Sequence, residues 1–146
     1  MDLDQKDLKI LEILCRNART TYSEIAKAIG VSDVAVIKRI KKLEQTGVIK
    51  KYTVILDPRK LGYKSVSITG INTEPEYLFS VLSYLKEKDY VKYIALTSGD
   101  HSIMTIIWAR DGDEMARIHE EISKLPGVTK VCPSMVLEVL KEDVIC

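Results

Sequence analysis

Residues 21–51 read TYSEIAKAIGVSDVAVIKRIKKLEQTGVIKK and carry the clearest structural signals in the chain. Thr21 and Glu24 have the spacing of a capping box, in which each side chain hydrogen-bonds the other residue's backbone amide at the start of a helix. Gly30 suits the left-handed residue that ends that helix, and Ser32 can cap the next one. The stretch therefore predicts two short helices joined by a glycine-containing turn, the arrangement of a helix-turn-helix.

A helix is also predicted before this stretch, near residues 4–17, with Asp4 as its cap. Its apolar residues recur at helical spacing; they are Leu8, Leu11, Leu14, Cys15 and Ala18. Three helices in this order complete the helical part of the motif.

The helix after Ser32 has an apolar stripe and, opposite it, a basic face. The second helix of a helix-turn-helix enters the major groove of DNA. We expect its cations to contact phosphates or guanine edges, Val34 to touch a thymine methyl, and Ser32 or Asp33 to add polar contacts to bases. The predicted cationic contacts are Lys38, Arg39, Lys41 and Lys42. The alternative is a generic helical domain whose lysines are simply solvated.

A β-rich run, residues 48–56, follows Gly47 and precedes the turn at Asp57 and Pro58. Such a strand can form a wing beside the helices. We expect it to place Lys50 and Lys51 near the phosphate backbone, where they add affinity without reading sequence.

The charge of the chain is divided between its two halves. Residues 1–60 hold 13 Lys and Arg against 8 Asp and Glu, whereas residues 61–146 hold 9 against 13. A basic module joined to an acidic one is typical of a nucleic-acid-binding domain followed by a domain with another task.

The second half alternates strands and helices. Strands are predicted at residues 64–71, 91–97, 103–109 and 128–140, with one helix opened by Pro75 and another capped near Asp111. The order βαββαβ is that of a ferredoxin-like sandwich, with both helices on one face of an antiparallel sheet. The other face, with Val66, Ile68 and alternate residues of the third strand, needs a second subunit to cover it. We therefore expect at least a homodimer.

The residues also resemble a known family. Residues 22–62 contain YSEIA, GVS, RIKKLE, GVIKKY, LDP and LG in the order and spacing of the N-terminal signature of the Lrp/AsnC (leucine-responsive, feast/famine) transcriptional regulators. The second half is similar to that family's C-terminal domain. The resemblance implies an α+β protein, with a winged helix-turn-helix at residues 1–62 and a ferredoxin-like oligomerisation and effector domain at residues 63–146. It also implies double-stranded DNA as partner, a dimer or octamer as assembly, and a free amino acid as effector.

The family's effector site lies at the turn between the two middle strands. Gly99 and Asp100 match the family pattern, while His101 stands where an aromatic residue is usual and Ser102 where an aspartate is usual. Pro133, in the last strand, replaces a common threonine. A serine offers an ammonium group only a neutral hydrogen bond, which is weaker than a charged one. An architectural DNA-binding protein without an effector is therefore the alternative interpretation.

Other classes of protein are not supported by the residues. Asp100, His101 and Ser102 are adjacent on one turn and cannot converge as a catalytic triad, so we expect no enzyme. Three widely spaced cysteines and two histidines predict neither a disulfide framework nor a metal site, and no cofactor motif is present. With no membrane span and no signal-type N-terminus, we expect a cytoplasmic protein.

Overall fold

The computed structural model describes residues 2–143, and within it the chain forms two compact units. The first unit reaches Ile55 and the second comprises Leu56–Leu140. The division falls a few residues before the boundary at residues 62 and 63 that the sequence suggests.

The first unit contains three helices: α1 (Gln5–Arg16), α2 (Tyr22–Ile29) and α3 (Asp33–Gln45). Their caps are those predicted. The side chains of Asp4, Thr21 and Ser32 each accept a hydrogen bond from the backbone amide three residues later, and in α1 and α2 the bond is returned as a capping box. Gly30 ends α2 with a φ of 72°, a conformation that side chains with a Cβ disfavour.

One apolar core joins the three helices. Its members lie at helical spacing on each helix, so burying them fixes which face each helix turns outward. The buried residues are Ile10, Ile25, Ala26, Val36, Ile40 and Leu43.

The predicted strand at residues 48–56 is wrong for the described chain, which bends at residues 48–49 and pairs with no other strand over this segment. A β-strand needs a neighbouring backbone to satisfy its amides and carbonyls, and residues 2–143 supply none. The segment is tied to α3 instead. The Ile49 amide donates to the Leu43 carbonyl, and the Tyr52 hydroxyl donates to Glu44 Oε1 at 2.7 Å.

The second unit follows the predicted βαββαβ order: β1 (Ser65–Thr73), α4 (Leu78–Lys86), β2 (Val91–Leu96), β3 (Ile103–Ala109), α5 (Gly112–Ser123) and β4 (Val128–Met135). Pro75 opens a short 3-10 turn that leads into α4. The strands lie in the order β2-β3-β1-β4 and every neighbouring pair is antiparallel. The α+β fold class is confirmed.

The last strand is shorter than predicted. Residues 128–140 were expected to be extended and paired, but β4 ends at Met135, opposite Ser67 of β1. Only the Val136 amide finds a further acceptor, the Val66 carbonyl. Because β1 begins at Ser65, no strand lies beside the residues that follow.

The two faces of the sheet differ. Ile71 of β1 and Ile103 and Ile107 of β3 are fully buried against α4 and α5. Side chains alternate along a strand, so the residues between them point the other way, where no element of this unit covers them. Ile68 is 44% exposed there. This open face carries Val66, Ile68, Met104, Ile106 and Trp108.

A polar chain runs through the helix-side core. His119 Nδ1 lies 2.9 Å from the Met115 carbonyl, which can only accept, so this nitrogen carries the proton. His119 Nε2 lies 2.7 Å from Thr69 Oγ1, which lies 3.0 Å from Ser67 Oγ. His119 is thus the end of a hydrogen-bond chain, and burial lowers its pKa.

The cysteines differ from one another. Cys132 is a free thiol in β4, whereas Cys15 is disulfide-bonded. The sequence predicted no disulfide framework and gave no indication of this bond at Cys15.

Candidate nucleic-acid interface and effector turn

The face of α3 opposite the core is basic and open to solvent. Val34, Lys38, Lys41 and Lys42 are all exposed, Val34 to 67%. None of the three lysines forms an ion pair with any residue between 2 and 143. Their charge is therefore available to an anionic partner.

The same face includes a residue that the sequence analysis did not select. Gln45 is exposed and follows Val34 by eleven residues, about three helical turns, which places both on one side of α3. A glutamine amide can hydrogen-bond an adenine edge or a phosphate. The sequence does carry a signal for it, because Lys38, Lys41 and Gln45 follow Val34 by four, seven and eleven residues, the spacing of one side of a helix.

Ser32 and Asp33 are placed at the start of α3, as predicted, but their side chains are engaged within the protein. Ser32 Oγ accepts the Ala35 amide at 3.1 Å. Asp33 Oδ2 accepts a 2.6 Å hydrogen bond from Ser23 Oγ of α2. The second bond ties the two helices of the helix-turn-helix together across the turn.

Arg39 differs from the neighbouring lysines. Its Nη1 lies 2.7 Å from Asp4 Oδ2 and 2.9 Å from Asp7 Oδ1, both at the start of α1. The hydrogen bonds that Arg39 donates to Asp4 and, second, to Asp7 raise the pKa of Arg39 above its usual value. The structure thus directs Arg39 to α1, and does not group it with the exposed lysine face.

Lys50 and Lys51 are exposed and make no ion pair with a residue of the described chain. The neighbouring Tyr52 anchors this segment to α3 through Glu44. Burial and, second, that hydrogen bond raise the pKa of Tyr52 to about 12, so the phenol keeps its proton at physiological pH. Both lysines are held near the end of α3.

The turn between β2 and β3 contains Gly99, Asp100, His101 and Ser102, and hydrogen bonds within the unit hold it. Thr97 Oγ1 donates to the His101 carbonyl at 2.6 Å, and the Asn72 amide donates to the Asp100 carbonyl at 2.9 Å. Gly99 has a φ of 114°, which favours glycine.

The side chains of His101 and Ser102 are also occupied. Asn72 Nδ2 donates to the turn, so its Oδ1 is free to accept from His101 Nδ1 at 2.8 Å. Ser102 Oγ donates to the Ile71 carbonyl at 3.3 Å. The carboxylate of Asp100 is exposed and forms no ion pair with the residues that the structure describes.

The His101 ring lies against Gly70 of β1, where any Cβ would overlap ring carbons Cγ and Cδ2. Gly70 points to the open face, because its neighbours Thr69 and Ile71 are buried on the helix side. Pro133 of β4 pairs with Thr69 of β1 and therefore lies on the helix side of the sheet. Within one chain, the structure does not bring Pro133 and the His101 ring to the same face.

Residues 2–143 contain neither a candidate metal-binding cluster nor a helix suited to crossing a membrane. No cluster of three or more His, Cys, Asp or Glu side chains is arranged to hold a metal ion. Among the helices described, none has the length and apolar character needed to cross a membrane.

Comparison with known proteins identifies both units. Residues 3–50 match the family described as winged helix-turn-helix DNA-binding, and residues 66–145 match the Lrp/AsnC ligand binding domain. The chain is 53% identical over 140 residues to the HTH-type transcriptional regulator LrpA of Pyrococcus horikoshii, covering 95% of this chain and 99% of the relative. It is 35% identical to LrpA1 of Halobacterium salinarum, covering 97% of this chain and all of that protein.

Solved structures agree with these matches. Escherichia coli AsnC superposes with a TM-score of 0.88 at 29% identity, over 97% of each chain. A Neisseria meningitidis transcriptional regulator in complex with L-Met superposes with a TM-score of 0.91 at 20% identity, over 99% of this chain and 96% of that one, which shows the shared fold. The chain belongs to the Lrp/AsnC family, and is a DNA-binding transcriptional regulator rather than an enzyme.

Proposed function

We propose that this regulator binds near-palindromic double-stranded DNA sequence-specifically as a homo-oligomer in the cytoplasm. One observation carries the proposal: α3 presents three lysines and Val34 on a solvent-exposed face, and residues 2–143 offer those lysines no acidic partner. An unneutralised basic face on the second helix of a helix-turn-helix is the arrangement that reads the major groove.

The roles of the individual residues follow from their surroundings. Lys38, Lys41 and Lys42 contact phosphates or guanine edges, and Val34 contacts a thymine methyl. Ser32 caps α3, so the polar contact it offers DNA is secondary to that role. Asp33 accepts a hydrogen bond from Ser23. Its negative charge is repelled by phosphate, so its contribution to DNA binding is to hold α3 in position.

Salt dependence of binding tests the lysine face. Each phosphate neutralised contributes about 0.9 to the slope of log affinity against log salt. Lys41→Ala and Lys42→Ala are each expected to lower that slope by about one unit. Lys86→Ala is the matched control, because Lys86 is exposed on α4 of the other unit. Equal slopes for all three variants would contradict the proposed interface.

Lys50 and Lys51 serve affinity rather than sequence reading. Replacing either by Ala is expected to lower the salt slope by about one unit and to leave the preferred DNA sequence unchanged. Selection of binding sites from a randomised DNA pool, by wild type and by each variant, measures the preference. A changed base preference would show that these lysines reach base edges.

A homodimer explains the open face of the sheet. Val66, Ile68, Met104, Ile106 and Trp108 form an apolar surface that no helix of their own unit covers, and such surfaces commonly mark interfaces. Two helix-turn-helix units related by a two-fold axis would then meet half-sites about 10 base pairs apart, or a multiple of that spacing. Ile68→Glu is expected to reduce the molar mass in light scattering, while Lys64→Glu, exposed near the start of β1, is not.

An amino acid as effector is the family-based part of the proposal. The domain matched at residues 66–145 is a ligand binding domain, and the Neisseria meningitidis relative of this fold holds L-Met. Asp100 offers an exposed carboxylate to an ammonium group.

Effector-independent DNA binding is the second candidate, and a specific observation favours it. The His101 and Ser102 side chains already hydrogen-bond Asn72 and the Ile71 carbonyl, so a ligand would have to displace those bonds. Thermal unfolding with each of the twenty amino acids separates the two candidates, since a ligand at 100 times its Kd stabilises by about 2.7 kcal/mol. A shift abolished by Asp100→Asn supports sensing; no shift supports effector independence.

A further inference from the structure

Arg39 sits between the DNA-reading helix and the first helix of the chain. Its guanidinium contacts Asp4, the N-cap of α1, and Asp7, the third residue of that helix. The two carboxylates already bond each other's backbone amides in the capping box. Arg39 therefore connects α3 to the single point at which α1 begins.

Asp7 and Arg39 are largely removed from solvent, so each depends on the other as a charged partner. Asp7 is only 7% exposed, and the Arg39 side chain is 29% exposed. A carboxylate removed from water to that extent needs a charged or hydrogen-bonding partner, and within residues 2–143 Arg39 is the cation that supplies it. The backbone amide of Asp7 and, second, Arg39 lower the pKa of Asp4, so the Asp4 carboxylate stays charged at neutral pH.

Arg39 lies at the border between the buried stripe of α3 and its lysine face. One residue corresponds to about 100° of rotation, so Arg39 is turned by roughly 100° from Lys38, roughly 160° from Lys41 and roughly 60° from Lys42. It stands beside the buried stripe of Val36 and Leu43. A side chain that extends toward α1 from this position points away from the face that Val34 and the lysines share.

We infer that Arg39 is a positioning residue, which sets the rotation of α3 on α1 and thereby aims the lysine face at the base edges, and that it does not bind phosphate. This inference rests on the proposed DNA interface. Apolar packing by Val36, Ile40 and Leu43 fixes which face of α3 is buried, but it is non-directional and does not set the exact rotation of the helix as a hydrogen-bonded ion pair does. A guanidinium held by two carboxylates has fixed geometry, as does the Ser23 to Asp33 bond at the start of the helix.

The test compares affinity for the selected site with affinity for unrelated DNA, at a temperature where circular dichroism shows each variant folded. Asp4→Asn is the informative variant, because asparagine keeps the N-cap hydrogen bond but removes one of the two carboxylate charges that hold Arg39, leaving only Asp7. Asp4 is half-exposed, so the fold should tolerate the change. Arg39→Lys keeps the charge but replaces the planar guanidinium, whose Nη1 contacts both carboxylates, with an ammonium on a flexible stem.

Positioning predicts that Asp4→Asn and Arg39→Lys each lower the ratio of specific to non-specific affinity by about 10-fold, and that the double variant loses no more than either single one. The salt slope stays within a few tenths of the wild-type value, since no phosphate contact is lost. Asp2→Asn, an exposed acid near the same helix end, is the matched control and should leave the ratio unchanged.

If Arg39 instead contacts a phosphate directly, Asp4→Asn is expected to strengthen DNA binding. Removing the Asp4 charge would leave Asp7 as the acidic partner of Arg39 among the described residues, so a guanidinium that reaches phosphate would be less neutralised. Affinity and salt slope would then both rise in Asp4→Asn, and that result would overturn the inference. A folded Arg39→Lys variant with an unchanged ratio would overturn it too, because a merely stabilising ion pair alters Tm but not specificity. If the lysine face does not bind DNA, the salt slopes of Lys41→Ala and Lys42→Ala will equal that of the wild type. That result tests the proposed interface separately from the role of Arg39.

Discussion

The contact between Gly70 and the His101 ring leads to a prediction in which one substitution has opposite effects in two backgrounds. In Gly70→Ala the new Cβ would overlap ring carbons of His101 and lie 2.9 Å from its Nδ1. The ring must then leave β1, which breaks the 2.8 Å bond between His101 Nδ1 and Asn72. In His101→Ala the ring is absent, and the overlap with the same Cβ is removed.

The magnitude follows from these contacts. Overpacking costs about 1–3 kcal/mol, and a lost hydrogen bond adds about 0.5–1.5 kcal/mol. Alanine itself is better than glycine in a strand by about 0.5–1 kcal/mol. We therefore expect Gly70→Ala to destabilise the wild type by about 2 kcal/mol, and to be neutral or stabilising by about 0.5 kcal/mol in the His101→Ala background.

Urea unfolding followed by tryptophan fluorescence measures both effects. Trp108 is the single tryptophan of the chain and lies in β3, so it reports the second unit. With an m-value of about 2 kcal/mol/M, the loss in the wild-type background corresponds to a midpoint lower by roughly 1 M. Protein concentration is kept constant, because association also stabilises the folded state.

Gly112→Ala is the matched control, since its Cβ would have nothing within 4 Å and the residue lies at the start of α5. It should be neutral or stabilising in both backgrounds. If Gly70→Ala costs the same with and without the His101 ring, the ring is not what requires glycine at position 70, and the account of the turn is wrong.

Two further predictions concern a titrating core residue and two glycines. Burial lowers the pKa of His119 below its unfolded value of 6.5, so its stabilising contribution is complete above pH 6.5 and declines as the pH falls toward the folded-state pKa. The urea midpoint of the wild type should therefore drop between pH 7.5 and 5.5, and that of His119→Gln should drop less. An equal drop in both proteins would refute this assignment. Gly30→Ala and Gly127→Ala both place alanine at a positive φ, 72° and 83°, which costs about 1–2 kcal/mol. At Gly127 the Cβ would also overlap Tyr77, whereas at Gly30 it meets nothing within 4 Å; Tm should therefore fall further for Gly127→Ala, and equal losses would count against the Tyr77 contact.

Local signals in the sequence were sufficient for the helices. The partners in the caps at Asp4, Thr21, Ser32 and Asp111 lie three residues apart, so their chemistry can be read from adjacent positions. The order of strands and helices in the second half follows equally from short-range periodicity. The basic face of α3 is a consequence of the same helical spacing.

Errors occurred where a prediction depended on a distant partner. Residues 48–56 and the end of the strand predicted at residues 128–140 have β-forming sequences, but a strand exists only where another backbone lies beside it. Val54 is 72% exposed in the first of these segments. Sequence pattern reports the capacity of a segment to pair, and the presence of a partner is a property of the assembled chain.

The sequence by itself determined the family, the helix-turn-helix and the βαββαβ order, because each depends on residues close together in the chain. Only the tertiary structure decided what the charged and polar side chains do. Arg39 reaches Asp4 across 35 positions, Thr69 reaches His119 across 50, and His101 reaches Asn72 across 29. A side chain's partner is chosen by packing, which brings together residues whose separation in sequence gives no indication that they will meet.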